Sequence, residues 1–175
     1  MRTPFIIAAV VSAFAATASA APFTTPYVLS AVHADFLTQL EKVAETPGEI
    51  GTAARAAADL LAAHNEAEER VALPLLGLTE EVAEGKAVDD PEATLASLES
   101  LQAELPLLVE GQAEAIGALV KLFAAAEAEG EADVSRLAER IIWHELTDAE
   151  ILYSAATLVG ATVQAGMADA DVEKN

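Results

Sequence analysis

Two segments of the sequence repeat the same pair of chemically active residues. In AHNEAEERVAL, His64 is followed four residues later by Glu68, and in WHELTDAEILY, His144 is followed at the same spacing by Asp148. Residues four apart lie on one face of a helix, about 6 Å apart along its axis. Each imidazole therefore points the same way as its carboxylate, as two ligands of one ion would.

The remaining histidine fits an internal repeat. His33 lies 31 residues before His64, and Gln112 lies 32 residues before His144, which suggests two related helical hairpins. A lone histidine on an apolar stripe is usually a hydrogen-bonded core residue, but here all three histidines fall on predicted inward stripes. Imidazoles and carboxylates from facing helices are typical ligands of metal sites in helical bundles. We therefore predict a metal site, with these candidate ligands: His33, His64, Glu68, His144, Asp148 and, as an additional candidate, Gln112.

Composition excludes several other kinds of site. The 175 residues include no cysteine, so disulfides, thiolate metal sites and cysteine nucleophiles are absent. The net charge of −20, with few and scattered basic residues, argues against nucleic-acid binding and against a basic membrane helix. We interpret this charge mainly as a solubilising surface, because dispersed carboxylates bind metals loosely.

Residues 1–20, MRTPFIIAAVVSAFAATASA, have the pattern of a secretory signal. One arginine precedes an apolar run, and the stretch ends in the small residues Ala18-Ser19-Ala20. The run is too short to span a bilayer, and we expect no stable membrane span in the rest of the chain. The sequence therefore predicts export, to the periplasm or the medium, with cleavage after Ala20.

The rest of the chain is predicted to be all-α, with a single helical bundle over residues 21–165 and an acidic, disordered tail over 166–175. Good helix formers fill four segments, at about 26–46, 49–76, 90–130 and 133–163, with a connection over 77–90. Asp90 and Pro91 look like an N-cap and first helical residue, and Gly130 like a helix end. Pro106 is predicted to kink or interrupt the third helix.

The periodicity also assigns the residues around the two pairs. Ile151 is predicted to face inward, and Trp143 and Tyr153 are predicted to serve packing rather than chemistry. Four carboxylates near the two pairs are predicted to lie on solvated faces: Glu66, Glu69, Glu145 and Glu150.

The order and helical placement of these motifs resemble the hemerythrin-like (HHE cation-binding) family, over residues 25–160. HNEAEERVALPLL, with Leu73-Pro74, also looks like that family's second helix. The resemblance implies an up-down-up-down four-helix bundle with a non-haem di-iron centre that has an open position for O2. It further implies that Glu68 and Asp148 bridge two irons, that His33 and His64 bind one of them, and that His144 binds the other.

One departure from the family changes what can be expected. The family places one or two histidines on the third helix, where this chain has Gln112, whose neutral amide is a weaker iron ligand than imidazole. Either Gln112, or Glu110 or Glu114 nearby, completes a modified two-metal site, or one metal binds in a partial site. A ferritin-like site is disfavoured because Leu61 and Ile141 stand where its Glu-x-x-His motif needs glutamate.

The expected function is binding or sensing of O2 or metal, with iron or another divalent ion, rather than turnover of an organic substrate. An oxidase or peroxidase-like activity at an open metal position is a further alternative. A different class of function is a metal-free interaction or structural protein that has lost the di-iron centre.

Overall fold

The computed structural model of the chain describes residues 26–173, which are helical throughout except for short connections and contain no β-strand. The predicted all-α class is therefore confirmed for this part. A π-helical turn, Asp148–Leu152, joins the last two helices without a break. The predicted secretory signal and the last two residues of the predicted acidic tail lie outside the described residues. The α-helices are α1 Tyr27–Ala44, α2 Glu49–Val71, α3 Leu73–Leu76, α4 Thr79–Ala83, α5 Pro91–Glu129, α6 Ala132–Thr147 and α7 Tyr153–Glu173.

The ends of α5 follow their predicted signals. The Asp90 carboxylate accepts a hydrogen bond of 2.9 Å from the backbone N–H of Ala93, and Pro91 is the first helical residue. Gly130 ends the helix with a φ of 77°, a left-handed conformation that glycine adopts without strain. Pro106, however, does not interrupt α5, because it lies on the exposed side, where its missing N–H leaves no buried carbonyl unpaired.

Two other boundaries differ from expectation. The predicted second helix is divided, since α2 ends at Val71 and the short α3 follows after Ala72. The last helix extends to Glu173, whereas periodicity predicts an end near Val163. Neither difference moves the histidines, which lie well inside their helices.

The buried apolar residues form two separate clusters. Cluster A lies among α1, α2, α5 and α6, and its largest members are Phe36, Leu40, Ile50, Leu61, Leu119, Leu122, Leu137 and Ile141. Cluster B lies among α2, α3, α5 and α7, and its largest members are Val71, Leu73, Leu75, Leu101, Leu108, Leu152 and Tyr153.

Polar residues lie between the two clusters on every long helix. Along α2, for example, Leu61 belongs to cluster A, His64 and Glu68 follow, and Val71 belongs to cluster B. The same order recurs from α6 through the π-helical turn into α7. In contrast, α5 runs from cluster B to cluster A, as does α1, where the partly buried Leu29 packs against cluster B. The name polar layer is used below for seven buried or half-buried polar residues at this level: His33, His64, Glu68, Gln112, His144, Glu145 and Asp148. Two further polar residues adjoin it, the buried Asn65 next to His64 and the half-buried Glu69, which contacts His33.

The π-helical turn changes which residues after Asp148 face inward. The backbone N–H of Tyr153 donates to the carbonyl of Asp148, five residues earlier, which inserts one extra residue into the helical repeat. Ile151 is consequently 63% exposed, and Leu152 and Tyr153 are buried in its place. The prediction that Ile151 faces inward is therefore wrong, because it assumed an unbroken α-helical period.

By length and composition alone, the helical stretch Ala132–Ala168 could cross a bilayer, contrary to the expectation that no later segment is apolar enough. This stretch also packs against α5 and carries Glu145 and Asp148 into the interior. Core helices of soluble proteins pass the same test, so it is weak evidence for a membrane span.

Candidate metal centre

Three predicted ligands from two helical segments form a compact group. One ligand atom from each of His33, His144 and Asp148 can be chosen so that all three lie within 4.8 Å of one another. The two imidazole rings lie 5.3 Å apart, edge to face, and the Phe36 ring packs 5.3 Å from His144. This set, called the His33 group, could hold a metal ion in a site shielded from water.

The atoms that face this space are unpaired. Nε2 of His33, Nε2 of His144 and Oδ2 of Asp148 are buried and have no hydrogen-bond partner among the described residues. The 3.1 Å contact between His144 and Asp148 does not have the orientation of a hydrogen bond. Buried polar atoms are rarely left unpaired in native proteins, and the convergence of these three atoms fits the ligands of a cation.

A carboxylate fixes the orientation of His33. Its Nδ1 lies 3.2 Å from Oε1 of Glu69, and since a carboxylate only accepts hydrogen bonds, Nδ1 is the donor. In the neutral ring Nε2 then carries the free lone pair, which a metal requires. Glu69 was predicted to lie on a purely solvated face, and this prediction is wrong in part, because its half-exposed side chain contacts a buried histidine.

A second set of side chains surrounds His64. Its Nε2 lies 3.4 Å from Oε2 of Glu68, 3.3 Å from Oε2 of Glu145 and 3.4 Å from the hydroxyl of Tyr153. We call His64, Glu68 and Glu145 the His64 group. Both oxygens of Glu68 and Oε2 of Glu145 are buried without a hydrogen-bond partner among the described residues.

The prediction that Glu145 faces solvent is wrong, because its side chain is 1% exposed. Consecutive residues on a helix point about 100° apart. His144 is directed toward His33 and Phe36 of α1, while Glu145 is directed toward His64 of α2 and the neighbouring α5. The interior side of α6 is thus wider than one apolar stripe. In the sequence, the only sign of this is that two polar residues, His144 and Glu145, are consecutive.

Gln112 is buried in the polar layer, but its side chain has a different partner from the one predicted. Its amide nitrogen donates a short hydrogen bond to the main-chain oxygen of Glu145. Gln112 therefore ties α5 to α6 at the level of the site. Glu110 and Glu114, the alternative ligands on this helix, are exposed.

Burial and mutual repulsion change the acidity of the site. Desolvation, followed by the charge of Glu68, raises the pKa of Glu145 to about 8, and the same two causes with Glu145 added raise the pKa of Asp148 to about 8. Desolvation, followed by the charge of His33, lowers the pKa of His144, and burial raises the pKa of Tyr153. Without a cation, the interior thus favours neutral forms of these groups.

The pairing of the histidines differs from that implied by the resemblance, since the compact group joins His33 to His144 and not to His64.

Trp143 is 64% exposed, so its predicted packing role is wrong, whereas Tyr153 is buried as expected and also contacts His64. Glu66 and Glu150 are exposed, as predicted.

No protein-family model, curated protein or solved structure matches the chain.

Proposed function

We propose that the chain is an exported hemerythrin-like protein that binds iron, or another divalent metal, inside an up-down-up-down four-helix bundle. The single observation that carries this proposal is the His33 group, whose three ligand atoms converge and lack other partners. The alternating order of clusters A and B along the four long helical segments supports the topology. The proposed role is binding or sensing of O2 or of the metal itself.

The donor set favours iron. Two imidazoles and one carboxylate are the ligands of many non-haem Fe(II) sites, where positions on the ion remain open. His33, His144 and Asp148 would hold such an ion, and it would supply redox chemistry toward O2. Glu68 supplies a further carboxylate, whose charge acts on both His144 and Asp148.

The surrounding residues have separate tasks. Glu69 holds His33 with Nε2 directed inward, and Phe36 packs against His144 and keeps water from it. Clusters A and B close the polar layer from both ends. Such a site favours a bound ion and excludes large organic molecules, which supports binding or sensing over turnover of an organic substrate.

Metal content per chain tests this proposal. The protein should be purified without a histidine tag from the exported fraction, and its metal content and optical spectrum measured. We expect at least one metal per chain, with the ion of the His33 group lost in Asp148→Asn and kept in Glu150→Gln, which alters an exposed carboxylate two residues away. A chain that holds no metal, even after anaerobic reconstitution with ferrous iron, would overturn the proposal and leave the metal-free bundle.

The metal-free alternative has one observation in its favour. The imidazoles and carboxyls contact each other at 3.1 to 3.4 Å, so protonation could balance the polar layer without an ion.

Export has its own test, because the intact mass of the mature protein should be that of a chain that begins at Ala21. A mass that includes residues 1–20 would contradict cleavage of the signal.

A further inference from the structure

The chain has no histidine on α5, its third long helix, and the carboxylate of Glu145 lies beside His64 instead. Glu145 reaches the space beside His64 from α6, not from α5. We propose that Glu145 completes a second cation site with His64 and Glu68, beside the ion of the His33 group. This inference rests on the proposed metal centre and adds to it a ligand that the sequence motifs do not indicate.

The contacts around His64 are those of a gap rather than of a hydrogen-bonded cluster. Three oxygens, from Glu68, Glu145 and Tyr153, surround one nitrogen at 3.3 to 3.4 Å. Charge-assisted N–H···O bonds are usually shorter, about 2.7–2.9 Å, and one ring N–H cannot point at three acceptors. The carboxylate oxygens are also unpaired, so they are free to bind an ion placed among them.

Charge balance also favours a second ion. The polar layer contains three carboxylates, and every arginine and lysine among residues 26–173 is exposed. One divalent ion compensates only two of the three ionised carboxylates. The third then keeps an uncompensated negative charge in the interior, which is unfavourable unless that carboxylate is protonated. Two divalent ions carry four positive charges, which balance these three carboxylates together with that of Glu69, the hydrogen-bond partner of His33. The imidazoles then remain neutral, as metal ligands must be.

Two neighbours position the second site without serving as its ligands. Gln112 donates to the main-chain oxygen of Glu145 and thereby holds the main chain from which the Glu145 side chain extends. Tyr153 places its hydroxyl 3.4 Å from Nε2 of His64, on the border of the proposed site. A cavity of about 140 Å³ between α2 and α5, bordered by Gly111 and Glu114, reaches His64 from outside.

The composition of the two groups predicts different preferences. The His33 group offers two nitrogens and one carboxylate, whereas the His64 group offers one nitrogen and two carboxylates. Carboxylate-rich sites suit harder ions such as Mn²⁺, while imidazole-rich sites also suit Zn²⁺. The affinities of the second site for Fe²⁺ and Mn²⁺ should therefore lie closer to its affinity for Zn²⁺ than they do in the His33 group.

Metal counting on variants of the full mature chain tests the second site. Tag-free protein is stripped with chelator, reconstituted anaerobically with Fe²⁺, freed of excess metal and analysed for iron per chain. We expect two irons in the wild type, one in Glu145→Gln, and two in Glu139→Gln, a matched control on the exposed side of α6. Glu145→His, which restores a ligand atom, should recover the second iron.

The outcomes separate this inference from the proposed function. Wild-type protein without iron overturns the metal centre itself. One iron that is lost in Asp148→Asn but unchanged in Glu145→Gln overturns only the second site, as do two irons retained in Glu145→Gln.

A second measurement does not depend on whether the variants fold. Wild-type protein loaded with Mn²⁺ should give the electron paramagnetic resonance spectrum of two magnetically coupled ions, because the two groups lie at the same level of the bundle. The spectrum of isolated Mn²⁺ would overturn the second site.

Discussion

The two halves of the polar layer are built from the same residue types in opposite proportions. The His33 group has two imidazoles and one carboxylate, and its ligand atoms lie within 4.8 Å of one another. The His64 group has one imidazole and two carboxylates, spread around His64 at 3.3 to 3.4 Å. The first group could hold a metal ion as it stands, whereas we expect the second to bind an ion only after its two carboxylates move closer together.

The difference arises from how each group is positioned. His33 is held by Glu69 and by the ring of His144, so its ligand nitrogen is fixed before any ion arrives. The carboxylates of the His64 group have no such partners, and only the main chain of Glu145 is held, by Gln112. We therefore expect the His33 group to bind its ion first and more tightly.

Among the changes considered, removal of both metal ions should lower the stability of the folded chain the most. An ion present at 1,000 times its Kd stabilises the folded chain by about 4 kcal/mol per site, because the unfolded chain does not assemble the ligands. Addition of a chelator should therefore lower the thermal midpoint strongly in the wild type. Equal midpoints with and without chelator, measured on protein shown to contain metal, would contradict a buried site.

Much of the His33 group could be predicted from the sequence, for a simple physical reason. His144 and Asp148 are one turn apart on a single helix, so local spacing alone brings them together. The inward placement of His33, His64 and Glu68 also followed from apolar periodicity, and their burial confirms it. Which histidine lies next to which depends on how the helices pack, and the sequence does not specify this.

The His64 group was missed in part because its key residue looks like a surface residue. Glu145 follows an inward histidine directly, and an apolar-stripe argument assigns only one of two consecutive residues to the core. Its burial requires that α6 contact both α1 and α5. The π-helical turn is similarly non-local, and it explains why the prediction for Ile151 was wrong.

Removal of one ligand from each group should give separable losses. His33→Ala should leave only the ion of the His64 group, and Glu145→Gln only that of the His33 group. Glu145→Gln should therefore keep the larger share of the metal-dependent stabilisation, since the His33 group binds more tightly. The double variant should bind no metal. Iron content and chelator-sensitive thermal unfolding measure both quantities. If His33→Ala alone removed all metal, the two groups would form one interdependent site.

The dependence of stability on pH should reverse between the metal-free and the metal-loaded protein. The folded chain raises the pKa of Glu145 and Asp148 to about 8, above their ordinary values of 4.5 and 3.8. A carboxyl group whose pKa is raised by folding stabilises the folded state fully at pH values below its pKa in the unfolded chain. This stabilisation is lost as the pH rises toward the folded-state pKa of about 8. Metal-free protein should thus lose up to ~1.4 kcal/mol per pH unit for each excess bound proton.

The loaded protein should behave in the opposite way, since acid protonates the ligands and releases the ion. Urea unfolding at several pH values, with and without chelator, tests both directions. Glu145→Gln should flatten the metal-free curve, which separates this effect from repulsion among the many surface carboxylates. A metal-free protein that becomes more stable from pH 6 to pH 8 would contradict the assigned protonation.

Substitution of Gln112 should have the smallest effect and should act on only one of the groups. Gln112→Ala removes the hydrogen bond to the main-chain oxygen of Glu145 and leaves the ligand atoms of the His33 group untouched. We expect a loss of about 1–2 kcal/mol in the free energy of unfolding of the metal-free protein, typical of a buried hydrogen bond. Iron titration should show weaker binding of the second ion and unchanged binding of the first. If instead the first ion were weakened, Gln112 would act as a ligand of the His33 group and not as the residue that positions Glu145.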